Sequence, residues 1–252
     1  MSDQFILTAA VPYANVDREQ VLLLRGVFEL LQEAAIKHAD QFAAGTLAVA
    51  NRGETWVLNR MAAEIARYPH YEEPVRVVTW SSGIRGFKGY RDFRVYGGDE
   101  LIASASTLWL YLSLATKSLC RVPREVAEQF PSRADPAVFC PDLERLAWTP
   151  PAPGAAGLPV TVRYSDVDAN GHVNNTAYFD YLQTALVRGG FAPRPRRLEI
   201  QFLREIPPDA ERVEVRLEPR DAAIAFALAG PAGLFAQGRV AQAPAGLGPT
   251  GA

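Results

Sequence analysis

One pattern in this 252-residue chain occurs twice, 151 residues apart, and it constrains the fold more than any other feature. A polar turn is followed by an amphipathic helix in both places, and the two copies stay in register for some twenty residues without a gap. The identical pairs include Tyr13 with Tyr164, Val16 with Val167, Asp17 with Asp168, Phe28 with Phe179, Leu31 with Leu182, Gln32 with Gln183, and Ala34 with Ala185. Such a register is typical of an internal duplication.

Each half of the chain also begins in the same order of predicted elements. The predicted strands are 4–11 and 160–164, the turns are 13–17 and 166–174, and the helices are 18–39 and 175–187. Strand-like runs follow each helix, at 75–80, 90–96 and 101–114 in the first half and at 198–203, 212–218, 222–229 and 233–241 in the second. A single amphipathic helix needs a large apolar surface to cover, and a curved antiparallel sheet provides one. The patterns therefore predict an α+β protein made of two helix-and-sheet units.

A stretch rich in Pro and Gly separates the two halves. Such residues interrupt regular structure, so we expect an N-terminal domain over 1–148, a linker over 149–159 and a C-terminal domain over 160–252. The tail from about 243 consists mostly of Ala, Gly and Pro and is expected to fray.

Composition excludes several classes of protein. The formal net charge of −2 argues against a generic nucleic-acid binder, and two cysteines are too few for a disulfide scaffold or a cysteine-rich zinc module. Three histidines leave little room for a metal site built from histidine ligands. The N-terminus lacks the pattern of a secretory signal, and the most apolar stretch, 101–116, is too short to span a membrane. We expect a cytoplasmic protein without a membrane span.

The second turn carries the residues that favour chemistry. Asp168, Asn170 and His172 lie two residues apart just before a helix, where free N–H groups and the helix dipole can stabilise a developing oxyanion. Asp and Asn are also common in turns and helix caps. The first copy has Glu19 and Val21 in place of the Asn and the His. The turn can therefore be built without those two side chains, and a catalytic role explains them better.

The other features of the sequence favour structure or exclude cofactors. His38, near the end of the first helix, and His70, in a loop, are interpreted as structural. Neither a P-loop nor a Gly-x-Gly-x-x-Gly turn is present, and no nucleophile is evident. These features favour catalysis by an activated water, with no covalent intermediate, no cofactor and no metal.

Several motifs together resemble those of the acyl-acyl carrier protein thioesterases, the plant FatA/FatB type and their bacterial relatives. The motifs are Val11-Pro12-Tyr13, Trp56-Val57-Leu58-Asn59-Arg60-Met61, Thr79-Trp80, Arg91-Asp92-Phe93, the string from Asp168 to Asn175, and Leu203-Arg204-Glu205. The resemblance covers nearly the whole chain. It implies two tandem hotdog folds, each a long helix wrapped by a curved antiparallel sheet. It also implies hydrolysis of the thioester between a fatty acyl chain and acyl carrier protein.

The resemblance implies a catalytic set of Asp168, Asn170, His172 and Glu205. Glu205 enters only through the resemblance, because alternation along 198–205 alone suggests a solvated carboxylate on a strand. Plant members have a cysteine directly after this glutamate, and the chain has Ile206 there, so a cysteine cannot be essential if the protein is active. Gly171 similarly replaces a common glutamine.

The implied mechanism assigns a role to each residue of that set. Glu205, aided by His172, would orient and deprotonate a water molecule. Asn170 would position that water or the imidazole, and Asp168 would fix the turn and its charge. The backbone N–H groups of Val173 and Asn174 are expected to receive the thioester oxygen.

Substrate-binding residues can also be suggested. An acyl chain needs an apolar slot, and the candidates for its lining are Trp56, Met61, Trp80, Phe93 and Trp109, each of which could equally belong to the core. Acyl carrier protein is acidic, and the candidates for docking it are Arg194, Arg196, Arg197 and Arg204, which could equally be solvated surface. The resemblance leaves open an acyl-CoA thioesterase and a non-catalytic acyl-binding protein. It also leaves open whether the protein is a monomeric pseudo-dimer or a homodimer.

Overall fold

The chain forms two compact units, Met1–Leu146 and Ala147–Ala252. A computed structural model describes residues 3–42, 44–133, 139 and 141–242. The tail for which fraying is expected, from about 243, lies outside the described residues.

The first unit pairs one long helix with a five-stranded antiparallel sheet. Its elements are β1 (Phe5–Ala10), α1 (Leu24–Ala39), α2 (Thr46–Asn51), β2 (Glu54–Ile65), β3 (Pro74–Arg85), β4 (Lys88–Gly97), β5 (Glu100–Ser113) and α3 (Arg124–Gln129). Within this unit the strand order is β1-β3-β4-β5-β2. Helix α1 packs against β1 and β3. Its buried side chains include Leu24, Val27, Phe28 and Leu31, whose spacing of three and four residues gives one apolar stripe.

The second unit repeats this design. Its elements are β6 (Gly157–Thr161), α4 (Ala177–Arg188), β7 (Arg197–Phe202), β8 (Arg212–Arg220), β9 (Ala223–Gly230) and β10 (Gly233–Ala241). The strand order is β6-β8-β9-β10-β7, and α4 packs against β6 and β8. Each strand has a counterpart at the same place in the sheet of the first unit. The predicted α+β fold, with a long helix and an antiparallel sheet in each half, is confirmed.

Some element boundaries differ from those predicted. Helix α1 begins at Leu24 rather than at residue 18, because the chain first makes a turn in which Gln20 has a φ of 60°. The patterns also did not predict α2, α3 and β2. Strand β2 was missed because its Met-Ala-Ala segment lacks the alternation typical of a strand. Strand β6 begins inside the stretch expected to be a linker. Its Pro159 is tolerated because β6 ends the strand order of its unit and pairs only with β8 there.

Candidate functional site

The turn before α4 is organised around the carboxylate of Asp168. Its Oδ1 accepts the backbone N–H of Asn170 at 2.8 Å, and its Oδ2 accepts the side-chain amide of Asn174 at 3.2 Å. The backbone N–H of Asp168 donates to the carbonyl of His172 at 3.0 Å. Gly171 closes the turn with a φ of 80°, a left-handed conformation that glycine adopts without steric cost.

The first unit builds the same turn with different side chains. Asp17 Oδ1 accepts the N–H of Glu19 at 2.9 Å, and the N–H of Asp17 donates to the carbonyl of Val21 at 2.9 Å. Gln20 takes the left-handed position that Gly171 holds in the second unit. The turn therefore depends on its aspartate, and the asparagine and histidine of the second copy are not needed to form it.

His172 lies near two carboxylates that come from separate parts of the chain. Its Nδ1 is 3.9 Å from Asp168 Oδ1 and 3.5 Å from the carbonyl oxygen of Val173. Its Nε2 is 3.7 Å from Glu205 Oε1, a distance typical of an ion pair and too long for a direct hydrogen bond. The imidazole is 26% exposed and the Glu205 side chain 59%, so water can reach both. Such a carboxylate–imidazole pair can accept and transfer a proton.

Glu205 reaches this site from a loop, and the expectation that it lies on a strand is wrong. Strand β7 ends at Phe202, and the N–H groups of Leu203 and Arg204 both donate to the carbonyl of Phe235, at 2.8 and 3.1 Å. Two prolines follow at 207 and 208, and proline has no N–H with which to continue the ladder. The chain therefore leaves the sheet just before Glu205.

The predicted oxyanion donors are not available in this structure. The N–H of Val173 donates to the carbonyl of Ile206 at 3.0 Å, and the N–H of Asn174 donates to the carbonyl of Asp166 at 2.8 Å. The assignment of these two N–H groups to the thioester oxygen is therefore wrong for this arrangement of the turn. The bond from Asn174 to Asp166 has a counterpart in the first unit, where the N–H of Leu23 donates to the carbonyl of Asn15 at 2.8 Å, so it belongs to the shared turn.

A buried carboxylate that the sequence analysis did not select supports the turn. Asp166 is fully buried and accepts the backbone N–H and the guanidinium of Arg163, as well as the hydroxyl of Tyr181 at 2.7 Å. Burial alone would raise the pKa of Asp166, but the hydrogen bonds from Arg163 outweigh it and hold that pKa below its usual value. The charged carboxylate thus ties the start of the turn to α4.

The five residues suggested for an acyl slot do not share one face of their sheet. Trp80 pairs with Asp92 across β3 and β4, whereas Phe93 pairs with Thr79. Because successive residues of a strand point to opposite faces, Trp80 and Phe93 lie on opposite faces. Met61, Trp80 and Phe93 are buried, while Trp56 and Trp109 are half-buried. A single slot lined by all five is therefore excluded.

The arginines suggested for docking have different surroundings. Arg197 pairs at 2.8 Å with Glu199, whose side chain is fully buried and is also bound by Arg239 at 2.7 Å. Arg197 is thus engaged with a buried carboxylate on strand β7. Arg196 and Arg204 are exposed, and Arg194 is half-buried.

His38, interpreted above as structural, lies in the last turn of α1. It is fully buried, and its Nδ1 lies 3.0 Å from the guanidinium of Arg91. Arg91 donates as well to Thr79 Oγ1 at 3.1 Å. Burial lowers the pKa of Arg91 to about 9. The first unit therefore contains a buried polar group under α1, remote in sequence from the turn of the second unit.

The described part of the chain lacks both a cluster of metal-ligating side chains and a membrane-spanning helix. No group of three or more His, Cys, Asp or Glu side chains that could hold a metal ion occurs there. Over the same residues, none of the helices has both the length and the apolar character needed to cross a membrane.

Comparison with known proteins identifies the family. The sequence-family model of the acyl-ACP thioesterase N-terminal domain matches residues 3–130, and the sequence-family model of the acyl-ACP thioesterase C-terminal domain matches residues 155–222. A chloroplastic palmitoyl-acyl carrier protein thioesterase of Gossypium hirsutum is 29% identical over 185 residues, which cover 67% of this chain and 43% of the relative. A chloroplastic oleoyl-acyl carrier protein thioesterase of Coriandrum sativum is 28% identical over 179 residues, covering 62% and 46%. The chain thus spans less than half the length of these curated relatives.

Solved structures show the same fold. The crystal structure of an acyl-ACP thioesterase from Bacteroides thetaiotaomicron matches with a TM-score of 0.81 at 20% identity, over 96% of this chain and 99% of that one. The tandem hotdog architecture expected from the motifs is confirmed by this likeness. With family models matching most of its length in two parts, the chain belongs to the acyl-acyl carrier protein thioesterase family.

Proposed function

We propose that this protein hydrolyses the thioester of fatty acyl-acyl carrier protein, releasing a free fatty acid and the carrier protein. The observation that carries the proposal is the placement of His172 between Asp168 and Glu205, at 3.9 and 3.7 Å. The turn that holds this histidine exists in the first unit without it. Membership of the thioesterase family supports the choice of substrate.

In the proposed mechanism the Glu205 carboxylate, aided by His172, orients a water molecule and takes its proton. The water oxygen bonds to the thioester carbon, the carbon–sulfur bond breaks, and the departing thiolate takes that proton. Because a thiolate is a competent leaving group, one base and one site for the developing oxyanion suffice. No covalent intermediate and no cofactor enter this scheme.

Two further residues support the reaction in this proposal. Asp168 fixes the turn through its bonds to Asn170 and Asn174, and places a negative charge beside His172. The carboxamide of Asn170 is exposed, and its bond to Asp168 is 3.4 Å long. The side-chain N–H of Asn170 can therefore turn to the water or to the thioester oxygen. Donation to the thioester oxygen is the role that the engaged backbone N–H groups of Val173 and Asn174 do not fill here.

The burial of the suggested side chains indicates which of them could contact the acyl chain and which could contact the carrier protein. Trp56 and Trp109, half-buried in the first unit, are the stronger candidates for the acyl chain, while the fully buried Trp80 is a core residue. The exposed Arg196 and Arg204 are the stronger candidates for docking the acidic carrier protein. Higher salt should then slow hydrolysis of the carrier-protein substrate more than that of a CoA substrate.

The decisive experiment measures hydrolysis of a series of acyl chain lengths, each presented on acyl carrier protein and on CoA. Preference for the carrier-protein series supports the proposal. Preference for CoA would replace it with an acyl-CoA thioesterase, and binding without turnover would replace it with an acyl-binding protein. Glu205→Gln and His172→Ala should each lower kcat by roughly 10²–10⁴-fold, the range for loss of a general base. His70→Ala, at an exposed histidine of the first unit, serves as the control.

We also propose a cytoplasmic location and either a monomeric pseudo-dimer or a homodimer. The low cysteine count suits a reducing compartment, while the curated relatives compared above are named as chloroplastic. Fractionation of the source cells tests the location, and light scattering of the purified protein tests the oligomeric state.

A further inference from the structure

We infer that Tyr178 is a positioning residue that fixes the backbone on both sides of Glu205. Tyr178 lies in the first turn of α4 and is 1% exposed. Its hydroxyl donates to the carbonyl of Arg204 at 3.3 Å and accepts the N–H of Ile206 at 3.2 Å. These two residues flank Glu205, so one side chain holds the peptide groups before and after it. The inference rests on the proposed role of Glu205.

The loop that carries Glu205 depends on such anchors because it lies outside the sheet. The carbonyl of Ile206 accepts the N–H of Val173, the neighbour of His172, at 3.0 Å. A continuous path therefore leads from Tyr178 through Ile206 to the turn that carries His172. The path connects the backbones that carry the two proposed catalytic side chains, and so it sets the 3.7 Å between them.

The ring and the hydroxyl of Tyr178 have separable functions. The ring packs edge-on against Phe202, with centroids 5.4 Å apart, and so contributes to the core. The hydroxyl contacts the Glu205 loop. In the first unit the matching position of α1 is Val27, which is buried without any hydroxyl. The fold of a helix on a sheet therefore does not require a hydroxyl at this position.

Burial also keeps this hydroxyl a donor. The pKa of Tyr178 is raised well above its ordinary value, chiefly because burial disfavours the phenolate. The proton needed for the bond to Arg204 is thus retained throughout the range in which an enzyme of this kind is assayed.

The test replaces Tyr178 by Phe, which keeps the ring and removes the hydroxyl. The buried N–H of Ile206 then loses its partner, and the loop gains freedom. We expect kcat with acyl carrier protein substrate to fall by about 10–100-fold, because a misplacement of about 1 Å can cost 10²-fold, while KM stays nearly constant. Hydrogen exchange at the Ile206 amide should become faster, which provides a measurement independent of turnover.

A double-mutant cycle separates positioning from general stability. In a Glu205→Gln background, Tyr178→Phe should have little further effect on kcat, because there is no carboxylate left to position. A merely structural role predicts that the two effects multiply. Ser106→Ala is the matched control: Ser106 is 3% exposed, and its hydroxyl donates to Asp92 at 2.6 Å in the first unit. It should lower Tm and leave kcat unchanged.

The outcomes distinguish this inference from the proposed function. Normal turnover in Glu205→Gln would remove the proposed function and the inference with it. Slow turnover in Glu205→Gln with normal turnover in a folded Tyr178→Phe would overturn the inference alone. Multiplicative effects in the double variant, or unchanged exchange at Ile206, would do the same.

Discussion

Removing the aspartate from each copy of the repeated turn in turn separates the structural role of this residue from its role beside His172. The variants are Asp17→Ala and Asp168→Ala. Each loses a carboxylate that accepts backbone N–H groups, at 2.9 and 3.1 Å for Asp17 and at 2.8 Å for Asp168. Both aspartates are half-buried. The structural loss should therefore be similar in the two copies, whereas only the second copy has His172 beside the carboxylate.

The expected magnitude follows from these bonds. A hydrogen bond to a charged group contributes about 1.5–3 kcal/mol, and loss of a capping aspartate typically costs about 1 kcal/mol. Because both sites are partly open to solvent, we expect a loss of about 1–2 kcal/mol in each variant. For a chain of this size, that lowers Tm by about 2–4 °C per kcal/mol. Only Asp168→Ala should also lower kcat, by roughly 10²-fold, since the turn that places His172 is loosened.

Thermal unfolding and hydrolysis of acyl carrier protein substrate are measured on the same preparations. Asp168→Asn adds a second comparison, because asparagine keeps an oxygen that can accept the Asn170 N–H but lacks the charge. A low kcat at nearly normal Tm in this variant would assign the effect to the charge beside His172. Equal losses of kcat in Asp17→Ala and Asp168→Ala, or an unchanged Tm in Asp17→Ala, would refute the reasoning.

Three other predictions concern the supports of the fold. The lowered pKa of Asp166 means that its stabilising charge is present above the unfolded pKa of about 4 and is lost as the pH falls through the folded pKa. The Tm of Asp166→Asn should therefore lie well below that of the unchanged protein at pH 7, and the difference should disappear in acid. A difference in Tm that does not depend on pH would contradict this. Gln20→Gly should raise the free energy of unfolding by up to about 1 kcal/mol, because Gln20 holds the left-handed conformation that Gly171 takes in the second unit. Denaturant titration measures this change. A lower free energy of unfolding would show that the Gln20 side chain contributes more to stability than its backbone conformation costs. Glu199→Ala should cost about 1.5–3 kcal/mol, the contribution of hydrogen bonds to a charged group, because the two guanidinium groups that lose their partner are 42% and 48% exposed and regain water. A loss below 1 kcal/mol in the same titration would contradict that.

The sequence allowed prediction of those features that depend on neighbouring residues. The repeated turn and the long helices follow from residues close together in the chain, and the structure contains both. Glu205 could not be selected from its neighbours in sequence, because it lies 33 residues after His172 and approaches it from a loop that begins after Phe202. The resemblance of motifs was needed to identify it.

The errors have the same physical origin. The N–H groups of Val173 and Asn174 lie at a position where helix starts usually offer free donors, but Ile206 and Asp166 supply acceptors for them. The alternation over 198–205 could not show that Glu199 is buried, with Arg239, forty residues away, as its partner. The helix predicted over 175–187 includes Tyr178, but its pattern could not show that the Tyr178 hydroxyl contacts the Glu205 loop. Apart from the Asn174 bond, which lies within the turn, contacts between distant segments decide these cases.

The two versions of the turn have a consequence for how such a protein can evolve. Glu19 and Val21 hold the positions of Asn170 and His172 on a backbone with the same hydrogen bonds. Under the proposed function, substitutions at these positions should therefore change reactivity at little cost in folding free energy, and the usual trade-off between stability and activity should be weak there. A duplicated ancestor could lose or gain catalysis in one copy while both copies continued to fold.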